Sequence, residues 1–120
     1  MADIPEAGLD GFVSVAKASQ VSEGSMISVT VSGKPILIAR SGGKFFAMEA
    51  VCSYVYGYLP RGELRGSAVV CPVHKAQFDI ATGKVVKNVP VMMRLASRRE
   101  ATDLHTYEVK IVGDSLLIRV

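Results

Sequence analysis

The chain has 120 residues, of which 49% are apolar and 21% charged, with a formal charge of +3 and an isoelectric point near 9.0. That length suits one domain whose core needs no staples, and burial on that scale offsets the ordering entropy, which excludes a disordered chain. The basic residues are spread along the sequence without a Lys/Arg block, so nucleic acid binding is not expected. No stretch approaches about 18 consecutive apolar residues, and Met1 to Glu6 carry no targeting pattern, so no membrane partner is expected and the cytoplasm is the default location.

From Gly11 onward, short segments rich in Val, Ile and aromatics are punctuated by Gly, Ser, Pro and Asp, the rhythm of a small sandwich or barrel. The spacing predicts a first strand over Phe12 to Val15, then a polar loop or single helical turn from Ala16 to Ser25. Met26 to Val31 alternates with period two and meets a turn at Ser32-Gly33-Lys34. Pro35 to Arg40 and Lys44 to Glu49 then flank Ser41-Gly42-Gly43, a hairpin turn supplied with positive φ by glycine. After Ala50 the texture changes: Val51 to Gly66 holds Pro60 and three glycines and reads as a long functional loop. Ser67 to Val70 and Gln77 to Ile80 are expected strands, the second closed by the turn Ala81 to Lys84. Asn88 to Leu104 reads as an exposed excursion with a helical turn, and His105 to Val112 and Ser115 to Val120 form a closing hairpin about Gly113-Asp114. There is no repeat, low-complexity tract or linker.

The two cysteines lie 19 positions apart, and each sits in a predicted loop. In Cys71-Pro72-Val73-His74 a tight turn containing proline can aim a thiolate and an imidazole at one point. Taken alone, the pattern is matched as well by a buried cysteine beside a surface histidine. Context adds Cys52, followed by Ser53, Tyr54, Val55, Tyr56, Gly57, Tyr58 and Leu59.

Together these residues resemble the Rieske iron-sulfur family, whose C-x-H and C-x-x-H motifs stand about sixteen residues apart on two loops at the tip of a small β-domain. The match holds at Cys52, the sixteen residues from Val55 to Val70, Leu59, Cys71, His74, Phe78-Asp79 and Thr82-Gly83, and spans nearly the whole chain from Phe12. The resemblance implies a single all-β domain over 1–120. Its scaffold would comprise 11–50 and 85–120, and its cluster-binding subdomain 51–84. It also implies a [2Fe–2S] cluster, with Cys52 and Cys71 on the inner iron and His74 on the outer one, since mixed Cys and His ligation raises the potential above that of all-Cys clusters. The family's high-potential members carry an extra disulfide, and with only two cysteines this chain looks like the low-potential ferredoxin type.

Tyr54 stands where the family has its other histidine. Three outcomes are open: the Tyr54 phenolate ligates the outer iron, its oxygen reaching roughly 3 Å further from Cα than the histidine nitrogen used in this family; a water, Tyr56 or Tyr58 completes a labile centre; or the cluster is absent and tyrosine fills its place. The alternation of Tyr54, Tyr56 and Tyr58 equally suits an exposed strand edge with rings at an interface. His105, in a predicted strand away from the loops, is not a candidate ligand. Lys75 follows the second ligand where the family usually has Gly, and with Arg61, Arg65, Arg98 and Arg99 forms a candidate basic collar that would steer an acidic partner.

No catalytic constellation is present: there is no Ser/His/Asp grouping, no patterned carboxylate pair and no phosphate-cradling loop. The reading is therefore a one-electron carrier, not an enzyme, serving a reductase, a terminal oxidoreductase or both, with no small-molecule substrate. The runner-up is a cluster-free module similar to the small subunits of nitrite reductases, and a mononuclear Cys2His site for Zn or Fe is a third reading.

Overall fold

The computed structural model describes residues 11–54, 57–73 and 75–119. The strands are β1 (Phe12–Lys17), β2 (Met26–Val31), β3 (Lys34–Ser41), β4 (Lys44–Glu49), β5 (Glu63–Arg65), β6 (Ala68–Val70), β7 (Gln77–Asp79), β8 (Val85–Lys87), β9 (Thr106–Tyr107), β10 (Val109–Val112) and β11 (Ser115–Arg119), with one short helix, α1 (Val91–Ser97). They form three antiparallel sheets, ordered β1-β11-β10, β2-β3-β4-β9 and β5-β6-β7-β8. The all-β expectation holds.

β3 explains how these sheets share their cores. Ile36, Leu37, Ile38 and Ala39 are all buried, and strand alternation sends Ile36 and Ile38 into one core and Leu37 and Ala39 into the other. On the first side lie Leu116 and Ile118 of β11, packed with Val13, Val15 and Val109 of the first sheet. On the second lie Met48, Ala50, Leu59, Val69, Phe78 and Ile80, so the face of the scaffold sheet away from the first core is the floor of the third sheet. One strand thus feeds both cores, and both cysteines share the second with Leu37 and Ala39.

The structure refines four sequence expectations. β1 runs on to Lys17 through a bulge between Ser14 and Ala16, because β11 continues to pair with it as far as Ser115. Glu63–Arg65, expected as loop, pairs with β6 as an edge strand. The single strand expected over His105 to Val112 is split: Thr106 and Tyr107 pair with β4, whereas Val109 to Val112 pair with β11, so the chain changes sheets at Glu108. The excursion over Asn88 to Leu104 is not wholly exposed, since Val89, Ala101 and Leu104 are buried and Met93 packs on the same core. Asn88 closes its base, accepting from the Ala101 N–H at 3.0 Å and donating to the Ala101 carbonyl at 3.1 Å. Val120, the expected end of the last strand, lies outside the described residues.

Candidate metal centre

The two cysteines enter the same buried core from two turns of equal size. The Cys52 N–H donates to the Gly57 carbonyl at 2.8 Å, and the Cys71 N–H donates to the Ala76 carbonyl at 2.8 Å. Each turn thus closes five residues after its cysteine. Both cysteines are almost wholly buried, at 1% and 0% exposure, and belong to one contiguous cluster with Leu59, Val69 and Phe78. Below the first turn, Val51 bridges Tyr58 and the Leu59 N–H donates to Ala50, which ties the loop to the end of β4. Below the second, β6 and β7 pair through Val70 and Gln77.

Gly57 brings the two turns together. A β-carbon there would lie 2.7 Å from Cys71 Sγ and 2.9 Å from Val73 Cγ2, closer than real side chains tolerate. The first loop therefore lays bare backbone against the second loop's sulfur. Two thiolate donors on matched turns, with a glycine surface pressed on one of them, fit a compact metal-sulfur group. Among the described residues no three His, Cys, Asp or Glu side chains gather as a metal site, and His74, the third expected donor, lies outside those residues, as does Tyr56. His105, set aside as a ligand, is exposed at the edge of the scaffold and stacks edge-on against Tyr107, the ring centroids 4.7 Å apart.

The residues after the second loop show what the Phe78-Asp79 and Thr82-Gly83 pattern does. Phe78 is fully buried beneath the loops. The Asp79 carboxylate accepts from the Ala81 and Thr82 N–H groups at 2.7 and 3.2 Å, fixing the turn that reverses the chain into β8. Gly83, at φ +76°, accepts from the Leu104 N–H through its carbonyl at 2.8 Å. A β-carbon there would strike the Leu104 carbonyl, so glycine is required for the turn to dock on the returning chain.

Tyr54 is only 3% exposed, which corrects the reading of the alternating tyrosines as an exposed edge, at least at this position. Its hydroxyl lies 2.6 Å from Ser97 Oγ and 3.2 Å from the Met93 carbonyl, both on α1. Arg99 donates to the Tyr54 carbonyl, and its guanidinium lies over the ring at 5.3 Å from the centroid. One residue earlier in the first loop, Ser53 Oγ donates to the Thr102 carbonyl at 2.7 Å and accepts from the Thr102 N–H at 2.8 Å. The segment after β8 is thus a brace for the first loop. Tyr58, half-buried, instead hydrogen-bonds Ser28 of β2.

The candidate basic collar falls into two groups. Arg61, Arg65 and Lys75 line a cleft of about 280 Å³ with Pro72 and Glu63, and Arg94, Arg98 and Arg99 line another of about 240 Å³ with Glu100. The Arg65–Glu63 pair at 2.8 Å and the Arg94–Glu100 pair at 3.9 Å are solvent-exposed and contribute little stability, about 0–1 kcal/mol each. Lys75 has φ +65°, the conformation that the family's usual glycine would take without strain. Beside Tyr54, Met92, Met93 and Ala96 wall an open apolar depression of about 590 Å³. No helix among the described residues is long and apolar enough to cross a membrane.

Comparison with known proteins agrees with this geometry. The ferredoxin component of biphenyl 2,3-dioxygenase from Rhodococcus jostii (strain RHA1) is 31% identical over 104 residues, covering 87% of this chain and 88% of the relative. The ferredoxin component of the naphthalene 1,2-dioxygenase system from Pseudomonas aeruginosa is 29% identical over 99 residues, covering 82% and 86%. Among solved structures, the ferredoxin of carbazole 1,9a-dioxygenase from Nocardioides aromaticivorans IC177 superposes with a TM-score of 0.77 at 25% identity, covering 90% of this chain and 96% of that one. The model of the Rieske [2Fe-2S] domain matches residues 11–113, and the chain belongs to that family.

Proposed function

We propose that this chain is a Rieske-type ferredoxin, a one-electron carrier in which Cys52, Cys71 and His74 hold a [2Fe–2S] cluster and Tyr54 stands at the fourth ligand position. The observation that carries the reading is the pairing of two equal turns, each hydrogen-bonded five residues after its cysteine, with Gly57 laid against the Cys71 sulfur. When bound, such a cluster accepts and releases a single electron. The chain's own residues do the rest. Cys52, Cys71 and His74 would hold it, and Leu59, Val69 and Phe78 pack with the two cysteines in one buried apolar core that would limit water around the cysteine sulfurs.

Partner choice follows from charge. Arg61, Arg65 and Lys75 flank the Cys71 loop on one cleft, so an acidic surface on a partner protein would be drawn to the loops that carry the cluster. The relatives named above are ferredoxin components of dioxygenase systems, and a solved complex joins the oxygenase and ferredoxin of carbazole 1,9a-dioxygenase, a fold match with a TM-score of 0.77. By analogy, a reductase supplies the electron here and a terminal oxygenase takes it. The site needs no substrate pocket, and catalysis belongs to the partner.

The test is a reductive titration of the anaerobically purified chain. The reading expects reversible bleaching of the visible bands by one electron per chain, with an EPR signal in the reduced form. Absence of any reversible one-electron couple overturns it.

A further inference from the structure

The two sides of α1 are used differently. The inner side serves the first loop: Met93 packs on the core, and the Met93 carbonyl and Ser97 Oγ face the Tyr54 hydroxyl. The outer side is apolar and exposed. Val91, Met92 and Leu95 are 56%, 72% and 68% exposed, and Leu95 follows the other two by four and three residues, so all three share one helix face. Of the seven large apolar side chains exposed among the described residues, these three fall within a five-residue run, a concentration that marks a contact surface. Beside them opens the apolar depression walled by Met92, Met93 and Ala96 next to Tyr54. The helix ends in cations: Arg94, Arg98 and Arg99 line one cleft with a single carboxylate, Glu100. Arg99 is engaged with Tyr54 and Arg94 approaches Glu100 at 3.9 Å, whereas Arg98 makes no ion pair among the described residues. Residues 84–100 hold five basic residues and one acid, a local charge of +4 where the whole chain has +3.

We propose that this face docks a partner protein whose own surface sets an apolar side chain inside a ring of carboxylates. The apolar group enters the depression beside Tyr54, and the carboxylates meet Arg94 and Arg98. Charge and shape select this occupant. A second copy turned about a two-fold axis would lay the same +4 segment against itself. A lipid surface offers no projecting group to fill a depression, and α1, about 10 Å long, presents too little apolar face to lie in a bilayer by itself. Arg, Met and Tyr are side-chain types enriched at protein interfaces. The face shares no residue with the cleft of Arg61, Arg65 and Lys75. Because α1 holds Tyr54, a partner seated here touches the brace of the first cysteine loop. The inference rests on this face alone and holds with or without a bound cluster.

The experiment uses the full chain as purified, with the peptide Asp-Glu-Asp-Gly-Trp-Leu-Gly-Asp-Glu-Asp as probe. The chain contains no Trp, so the anisotropy of indole fluorescence reports the peptide alone. The expected result is saturable binding that weakens about tenfold when the peptide's Trp and Leu are replaced by Ser, or its acids by the corresponding amides. Met92→Ser with Leu95→Ser should weaken it by about the same factor, and Arg98→Asp severalfold, the second effect shrinking as salt rises. These side chains are exposed, so far-UV circular dichroism should match the wild-type chain. Arg61→Glu with Lys75→Glu should leave binding unchanged, and loss of binding in that variant overturns the proposal. So does the absence of saturable binding at millimolar peptide, or equal binding by the folded Met92→Ser, Leu95→Ser chain. A dimer seen by light scattering that this double variant dissolves overturns it in favour of a second copy. Co-sedimentation with phosphatidylglycerol vesicles that the same variant abolishes overturns it in favour of a lipid surface. None of these results depends on iron content or reversible reduction, so the electron-carrier reading stands or falls separately.

Discussion

Gly57 decides how near the two cysteine turns can come. Replacing it with alanine puts a methyl group 2.7 Å from Cys71 Sγ, and relief by moving either loop costs about 1–3 kcal/mol, as overpacking does elsewhere. Gly57→Ala is therefore expected to lose most of its iron and sulfide while keeping its far-UV circular dichroism, since the clash lies at the tip and not in the scaffold. Equal metal content in both proteins would show that the sulfur is not where the cluster is held. Lys75 presents the converse case. A side chain at φ +65° carries strain of about 1–2 kcal/mol, part of which glycine returns through its freer unfolded state. Lys75→Gly should raise the urea midpoint by the equivalent of about 0.5–1 kcal/mol, and a fall would mean that the lysine side chain makes a stabilising contact worth more than the strain. Both cysteines could be picked out in the sequence, whereas Tyr54 drew notice only through the family resemblance, as the residue two after Cys52. What Tyr54 does was not legible. Its hydroxyl partners are 39 and 43 residues away, and nothing in a run of Met, Arg, Leu and Ala announces that a helix there will accept a phenol.

At the scale of elements, hairpins were legible where period-two alternation meets a turn rich in glycine. β2 and β4 have the bounds the pattern predicted, Met26–Val31 and Lys44–Glu49. β5 was hidden because Glu63-Leu64-Arg65 offers one apolar residue between charges, and only its partner β6 makes it a strand. The break at Glu108 was hidden for another reason: alternation persists through it while the pairing partner changes from β4 to β11, and a sequence records the face of a residue but not its neighbour. The Thr82-Gly83 turn was legible as a turn, and the structure adds its cause. Gly83 must sit at φ +76° with its α-carbon against the Leu104 carbonyl while its own carbonyl accepts the Leu104 N–H. Gly83→Ala combines left-handed strain with a backbone clash, and a loss of about 2–4 kcal/mol is expected in chemical denaturation. A loss below about 0.5 kcal/mol, the usual size for an exposed surface site, would contradict that account of the docking.

For the whole molecule, β3 of the middle sheet feeds two cores, one shared with β11 and one shared with the third sheet, and both cysteines lie in the second. The chain's charge of +3 is modest, but Arg61, Arg65 and Lys75 concentrate part of it beside the Cys71 loop. Electron delivery to a partner with an acidic docking face should slow as salt rises. Reversing two of these charges, as in Arg61→Glu with Lys75→Glu, should lower the association rate roughly tenfold at low ionic strength while leaving the cluster spectrum unchanged. Rates indifferent to both salt and charge would move the docking face elsewhere. The fold class could be read from letters because alternation and turn residues are local. The brace that α1 gives the first loop could not, because it arises only when the chain returns. The most direct measurement of the central claim is the iron and acid-labile sulfide content of the anaerobically purified chain, read beside its visible spectrum. Two irons and two sulfides per chain, with a red-brown colour, is the expected result for a [2Fe–2S] domain, and a colourless protein holding no iron, or a single zinc, would contradict it.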